Sequence, residues 1–166
     1  MSISDTLIVE LDQEAPATRK ALERVPDDKL AWKPHEKSMP LGRLATHIAE
    51  VPAWGKVTIA QDTLALDSSF EPTILGSVSE VLDLFDKNVS MFRELLTTTP
   101  DEEFARTWAM THSGKEVFAD NKLSVVRRMV MNHLVHHRGQ LSVYLRLNDV
   151  PLPMTYGPSA DETGGF

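Results

Sequence analysis

Apolar residues recur three or four positions apart in four stretches of this chain, and that spacing constrains the fold more than any other feature. It predicts helices over about residues 4–24, from just after Ser38 to the neighbourhood of Pro52, from about residue 77 to Pro100, and over about 122–148. Each helix has one apolar face that must be covered, and the connections are long enough for the helices to pack side by side. The sequence therefore predicts an all-α four-helix bundle, built as a single domain over residues 1–166.

Several residues indicate where these helices begin and end. Ser38 is predicted to cap the second helix while Pro40 occupies its first turn, and Ser77 or Ser79 is predicted to cap the third helix. Pro52 has no amide hydrogen and crowds the carbonyl group four residues back, so a kink or break is expected at that point. Such a break would leave polar backbone close to a histidine of the second helix.

Two connections carry turn-forming residues. Residues 62–77 are predicted to form a loop, because Asp, Ser, Pro and Gly are concentrated there. Between the third and fourth helices, residues 104–118 alternate enough around Ser113 and Gly114 to predict a short β-hairpin.

Composition excludes several kinds of site and partner. The chain has no cysteine, so disulfides, thiolate metal sites and cysteine nucleophiles are excluded, and any metal must be held by imidazole or oxygen. A net charge of -7 argues against a nucleic-acid partner, since such proteins usually present a basic surface. No apolar run approaches the ~20 residues that span a bilayer, and the N-terminus does not resemble a secretory signal. We therefore expect a cytoplasmic protein that binds neither nucleic acid nor membrane.

Histidines on two of the predicted helices indicate a metal site. His133 and His137 are four residues apart and share the stripe of the core leucines, so both imidazoles can reach one ion from the same side of a helix. His47 has an equivalent inward position on the second helix and is predicted to supply a third nitrogen. The alternative is that these are core histidines that hydrogen-bond to carbonyl groups or to Gln140.

Three imidazole ligands would leave room for an exogenous molecule on the ion. Zinc and nickel are the preferred metals, and iron, manganese or cobalt would also accept this ligand set. The ion would polarise either a substrate thiol or a water molecule.

Other side chains have weaker claims to a role. His136 is rotated about 100 degrees from its neighbour on an ideal helix and is not expected to join the same ion. His35 and His112 are predicted to be solvated. Glu50 is a weak candidate for orienting a ligand or acting as a base, and its alternative role is an exposed salt bridge. Tyr144 is a second weak catalytic candidate, and its alternative role is packing in the core.

Two stretches of the sequence resemble the DinB family of the DinB/YfiT-like superfamily: PHEKSMPLGRLATHIAEVPAW, and NHLVHHRGQLSVYLRLNDVPLPMTYGPSADE. The resemblance covers nearly the whole chain in order, and it implies a four-helix bundle with up-down-down-up connectivity. It also implies a divalent metal held by His47, His133 and His137, and a homodimer. Some relatives are thiol S-transferases that use low-molecular-weight thiols such as bacillithiol or mycothiol, and others are described as metal-dependent hydrolases.

These observations lead to one preferred function and two alternatives. The preferred function is a metal-dependent enzyme acting on a small-molecule substrate, either a thiol S-transferase or a hydrolase. The first alternative is a non-catalytic, stress-related protein that binds a metal or a small ligand. A nucleic-acid-binding protein would need a basic groove that the composition does not offer.

Overall fold

The structure is a computed structural model that describes residues 2–66 and 72–163. Residues 67–71, which are part of the predicted loop 62–77, lie outside the described residues. The four long helices of the bundle are α1 (Ile3–Leu22), α2 (Leu41–Glu50), α4 (Val78–Thr98) and α7 (Asn132–Leu147). The shorter helices are α3 (Ala53–Ala60), α5 (Asp101–Ala105) and α6 (Lys122–Val126), with a 3-10 turn at Asp27–Lys29 and a π-helical turn at Arg127–Met131. The strands are β1 (Thr63–Leu66), β2 (Thr107–His112) and β3 (Lys115–Asn121).

The four long helices form a closed ring in which α1 and α2 each pack against both α4 and α7. Two ion pairs show the direction of α1 relative to α4. Asp12 pairs with Arg93, and Arg19 pairs with Asp86. Low numbers on one helix meet high numbers on the other, so these two helices are antiparallel.

The same reasoning gives the directions of the other two helices. Glu10 pairs with Arg127 and Glu14 pairs with Arg138, so α1 and α7 run in the same direction. The Tyr144 hydroxyl donates to the carbonyl group of Met39, which precedes α2, so α2 and α7 are antiparallel. The up-down-down-up connectivity that the family resemblance implies stays a prediction.

The core of the bundle is apolar and lies inside the ring. Its fully enclosed side chains come from all four long helices and include Leu7, Leu11, Leu44, Ile48, Phe85, Phe92, Leu134 and Leu141. The periodicity of apolar residues therefore predicted the helices correctly. No helix in the described ranges is long and apolar enough to cross a bilayer.

Three predictions about local structure need correction. The chain is mostly helical but not all-α, because β1, β2 and β3 form a small sheet in that order. β1 lies inside the predicted loop 62–77 and pairs in parallel with β2, while β2 and β3 pair antiparallel. Ser38 does not cap α2, whose N-cap is Pro40 without a side-chain hydrogen bond, because the loop reaches the helix by backbone contacts to Trp32 and Leu30 instead.

Two other local features follow from particular residues. Ser77 caps α4, and its hydroxyl accepts a hydrogen bond from the Glu80 amide at 3.3 Å. Of the two predicted caps, Ser77 and Ser79, the first is therefore confirmed. The turn between β2 and β3 has positive φ at Ser113 and Gly114, the backbone that a two-residue hairpin connection requires.

The predicted break at Pro52 is confirmed, since α2 ends at Glu50 and α3 begins at Ala53. A helix that stops at a proline leaves carbonyl groups without their usual amide donors. The buried side chain of Asn88 on α4 supplies one substitute, donating to the Ala49 carbonyl at 2.8 Å. This contact ties the end of α2 to α4.

Close packing at the start of α3 gives a test of the fold. A Cβ atom added at Gly55 would overlap the ring of Phe92, which is fully buried, so Gly55→Ala should destabilise the protein by about 1–3 kcal/mol. Gly139 is the matched control, because nothing lies near its Cβ position and alanine is the better helix former by roughly 1 kcal/mol. Urea denaturation should place the midpoint of Gly55→Ala below that of wild type and the midpoint of Gly139→Ala at or above it. Equal midpoints for the two variants would contradict the packing described.

Candidate metal centre

The structure brings together His47 of α2 with His133 and His137 of α7. One ring nitrogen from each histidine can be chosen so that all three nitrogens lie within 4.8 Å of one another. The Nε2 atoms of His47 and His133 are 3.3 Å apart. The ring centroids are 4.5 to 5.0 Å apart in the three pairs. The predicted convergence of these three side chains is therefore present, while their role as metal ligands stays a prediction.

The helices explain why these rings meet. His133 and His137 are separated by one helical turn, so their side chains leave α7 on the same side. The antiparallel packing of α2 against α7 places His47 opposite them. His137 is buried, at 8% exposure, whereas His47 and His133 are half-buried. The cluster therefore lies at the edge of the core, where an exogenous molecule can approach.

Hydrogen bonds on the far side of two rings determine which nitrogen faces the centre. The Nδ1 atom of His137 lies 2.6 Å from Oε1 of Gln140, and Nδ1 of His133 lies 3.3 Å from the carbonyl oxygen of Met129. Both oxygens can only accept, so Nδ1 carries the proton and Nε2 keeps its lone pair. The contacts that the alternative prediction of hydrogen-bonded core histidines expected are thus present, and they leave a lone pair on the other nitrogen of each ring.

A π-helical turn precedes the histidine pair on α7. It covers Arg127–Met131, and the Asn132 amide donates to the Arg127 carbonyl five residues back. Such single turns widen a helix and shift the positions of the residues that follow. Met129, whose carbonyl faces His133, lies within this turn.

Glu50 lies behind His47, where the first of its predicted roles, orienting a ligand, would place it, and that role stays a prediction. It is half-buried, and its Oε2 atom accepts a hydrogen bond from Nη1 of Arg43 at 2.8 Å and lies 3.7 Å from Nδ1 of His47. Burial raises the pKa of Glu50, but the neighbouring His47 and the hydrogen bond from Arg43 outweigh burial and leave that pKa below its usual value. Glu50 is therefore an ionised acceptor behind His47, and not the exposed salt bridge expected as its alternative role.

Arg43 was missed by the sequence reasoning. It is nine-tenths buried on α2, four residues before His47 and seven before Glu50. Those spacings place all three side chains along one face of the helix, and that is the signal in the sequence that could have identified it.

The remaining candidates lie outside the cluster. His136 is exposed, with its ring 4.9 Å from that of His137, and it does not join the three nitrogens. His35 and His112 are exposed, as predicted. Tyr144 follows His137 by two turns, about 10 Å along the helix axis. Its hydroxyl donates to the Met39 carbonyl and its ring packs edge-on against Trp32, so it does not face the histidines.

Burial keeps two of the imidazoles neutral. Desolvation lowers the pKa of His133, and the neighbouring His47 adds to the effect. Desolvation also lowers the pKa of His137, to about 4, although its hydrogen bond to Gln140 acts in the opposite direction. A neutral imidazole is the form that can donate a lone pair, so both rings are in the ligating state at neutral pH.

The donor set fits a divalent transition metal. Zinc bound at about 2.0–2.1 Å in tetrahedral geometry holds neighbouring nitrogens about 3.3 Å apart, which matches the distance between the Nε2 atoms of His47 and His133. Neutral imidazoles whose Nδ1–H groups are held by oxygen acceptors are the usual surroundings of metal-binding histidines.

Comparisons with known proteins show which family and which folds this chain resembles. The sequence model of the DinB family matches residues 1–164. The uncharacterized protein YrdA of Bacillus subtilis (strain 168) is 26% identical over 153 residues, which cover 92% of this chain and 87% of YrdA. A DinB-like protein from Bacillus cereus ATCC 10987 has a TM-score of 0.65 at 23% identity, covering 87% of this chain and 92% of that chain. YfiT from Bacillus subtilis, described as a probable metal-dependent hydrolase with an unusual four-helix bundle topology, has a TM-score of 0.66 at 17% identity and covers 90% of both chains.

The lowered pKa of His137 predicts how the metal-free protein responds to acid. The unfolded chain takes up a proton at this histidine as the pH falls through 6.5, while the folded chain does so only at about 4. The unfolded state therefore binds more protons in that window, and folding stability should fall as the pH is lowered from about 6.5 to about 4.

Urea denaturation with a chelator present measures this effect. His137→Gln should lose less stability between pH 7 and pH 4.5 than wild type does, and the exposed control His112→Gln should follow wild type. Parallel pH profiles for all three proteins would show that the folded protein does not disfavour the charged form of His137.

Proposed function

The chain belongs to the DinB family, and from that premise we propose that it is a metal-dependent enzyme acting on a small molecule. His47, His133 and His137 would hold one divalent ion, with zinc or nickel preferred and iron, manganese or cobalt compatible. The observation that carries the proposal is the convergence of three imidazoles at the half-open edge of the core, two of them with Nδ1 on an oxygen acceptor.

The protein's own residues would keep this site ready for an ion. Burial holds His133 and His137 in their neutral forms, and Gln140 and the Met129 carbonyl set their tautomers. Glu50 faces the Nδ1 atom of His47 and can accept its proton in a hydrogen bond. When bound, a divalent ion would act as a Lewis acid that favours the deprotonated form of a thiol or a water molecule.

Between the two reactions, we infer S-transfer by a low-molecular-weight thiol as the first candidate, because a thiol, with a pKa of about 8.5, is far more acidic than water and needs less help from a protein base. Hydrolysis assisted by the protein needs a general base near the reacting water. Glu50 has a lowered pKa and is already paired with Arg43, and the Tyr144 hydroxyl donates to a carbonyl group away from the histidines. Neither weak catalytic candidate is placed as a base.

S-transfer does not need such a base in the protein. The thiol gives its proton to solvent, and its sulfur forms a bond to an electrophilic carbon of the substrate. The bond from that carbon to the leaving group breaks, and the leaving group departs with the electron pair. The three-histidine edge would position the thiol for this attack.

Hydrolysis is the second candidate, and the fold likeness to YfiT supports it, since that protein is described as a probable metal-dependent hydrolase. Two assays of the metal-loaded protein separate the reactions. S-transfer is measured with a small thiol and a chloroaromatic compound that accepts it, and hydrolysis is measured with an activated ester and no thiol. A cytoplasmic location, a homodimer and the lack of nucleic-acid and membrane partners stay predictions.

Removal of one imidazole tests the metal site directly. His137→Ala should lose stoichiometric metal, because only two imidazoles remain and the pair on α7 is broken, while the helical far-ultraviolet circular dichroism spectrum should persist. His136→Ala is the matched control, since His136 is exposed and outside the cluster, and it should bind metal as wild type does. Elemental analysis of untagged protein measures the content. Metal retained by His137→Ala, or lost from His136→Ala, would mean that the ligand set is wrong.

A carboxylate behind a ligand can also be tested. Glu50→Gln keeps an oxygen near Nδ1 of His47 but removes the charge, and such changes next to a ligating histidine typically cost about 10–100-fold in metal affinity. Competition with a chelator of known affinity should show a loss in that range. Unchanged affinity would leave Glu50 as a partner of Arg43 alone.

A further inference from the structure

Two arginines are buried among the residues that the structure describes, and they differ in how their guanidinium groups are satisfied. Arg138, at 3% exposure, contacts Glu14, Thr18 and Tyr156 through both of its terminal nitrogens. Arg43, at 9% exposure, contacts the protein through Nη1 alone, which donates to Glu50 at 2.8 Å. Its other donors, Nε and Nη2, have no acceptor within the described ranges.

These free donors are not sealed inside the protein. Over residues 2–66 and 72–163, Nε1 of Trp108 is the one fully enclosed side-chain polar atom without a hydrogen-bond partner. The unpaired nitrogens of Arg43 must therefore keep access to solvent. The side chain of Arg43 is held by burial and by its ion pair, while the Nε and Nη2 edge of its guanidinium group can still bind a hydrogen-bond acceptor from outside the protein.

The ion pair of Arg43 lies beside the three-histidine cluster. The side chain of Arg43 runs along α2 from its own position to Glu50, passing His47 one turn away. The same Oε2 atom of Glu50 is 2.8 Å from Nη1 of Arg43 and 3.7 Å from Nδ1 of His47. His47 and Glu50 are the half-buried positions of α2, and its other residues are buried, so solvent reaches this helix on the face that carries the arginine.

The free edge has a defined chemical preference. Nε and Nη2 point in parallel and match the two oxygens of a carboxylate, which they can bind with two charge-assisted hydrogen bonds. Arg93 binds Asp12 in this way within the same protein, at 2.8 and 2.9 Å. At Arg43 the corresponding edge has no carboxylate partner among residues 2–66 and 72–163.

We propose that Arg43 binds a carboxylate group of the small-molecule substrate, through Nε and Nη2, next to the three-histidine site. The identification of that carboxylate as part of a substrate rests on the proposed function, since the reacting end of the same molecule would lie at the histidines. The charges of Arg43 and Glu50 cancel within their ion pair, so a divalent ion held by the histidines would leave this edge of the core positive. An anionic substrate is the class that such an edge recognises.

A pair of probes with and without the carboxylate tests the proposal. Succinic acid monohydroxamate and its amide carry the same metal-binding hydroxamate and differ only in charge at the other end. Calorimetry on zinc-loaded wild type should show at least tenfold tighter binding of the acid. In Arg43→Gln the two probes should bind within about twofold of each other, and Arg43→Lys should fall between, because lysine keeps the charge but not the fork. Arg93→Gln, on the opposite side of the bundle, should keep the wild-type ratio.

The ratio of the two probes is taken on one loaded protein, so a change in metal affinity cancels from it. Equal binding of the probes to wild type, or a wild-type ratio in Arg43→Gln with a native circular dichroism spectrum, would overturn the proposal. If Arg43→Gln does not fold, Arg43→Lys decides in its place. A wild-type ratio of the two affinities in Arg43→Lys would also contradict recognition by the paired Nε and Nη2 donors.

A second measurement needs no metal. In the metal-free protein, the Nε–Hε signal of Arg43, assigned by its loss in Arg43→Lys, should move on titration with propionate and stay in place with propionamide. If zinc does not bind but this shift occurs, the carboxylate site stands and the metal-dependent function fails. If zinc binds and the signal moves with neither compound, the carboxylate site fails while the metal centre remains.

Discussion

The enclosure of α2 is the constraint on which the candidate site depends. This helix packs against both α4 and α7, and Leu30 and Leu75 of the loops cover it further, so that most of its residues are buried. Its end is fixed by Pro52 and by the hydrogen bond from Asn88. A helix held on so many sides cannot rotate without disturbing the core, and His47 therefore has one position relative to α7. Convergence of three rings from two helices requires that kind of rigidity.

The polar residues around the histidines divide into two groups with different tasks. Gln140 and the Met129 carbonyl face the ring nitrogens on α7, and Glu50 faces the one on α2, so each imidazole has an oxygen behind it. Arg43 contacts one of these oxygens, and its remaining donors have no partner in the described part of the chain. A single ion pair on α2 thus connects the oxygen behind His47 to the guanidinium group for which we propose carboxylate binding.

The sequence predicted those features that depend on local periodicity. The helices follow from apolar spacing, the break from Pro52, and the approach of His133 and His137 from their separation of four residues. Apart from the approach of His47 to that pair, features that depend on contacts between distant residues could not be predicted. The strand β1 has four residues, too few for a periodic signal, and its parallel partner lies more than forty residues away in the chain. The π-helical turn has no signature in its sequence, and the direction in which the Arg43 side chain extends depends on which side of α2 is covered.

The distance between the histidines in the chain has a consequence for how folding and metal loading are linked. His47 and His133 are 86 positions apart. An unfolded chain could offer an ion the α7 pair only as a flexible segment, and the third ring would have to be recruited by closing a long loop. An ion held by all three would therefore discriminate strongly between folded and unfolded molecules, and its binding free energy would be added to conformational stability by mass action. The abundance of folded protein in a cell would then follow the free concentration of the metal, and a chelator would act on this chain as a mild denaturant.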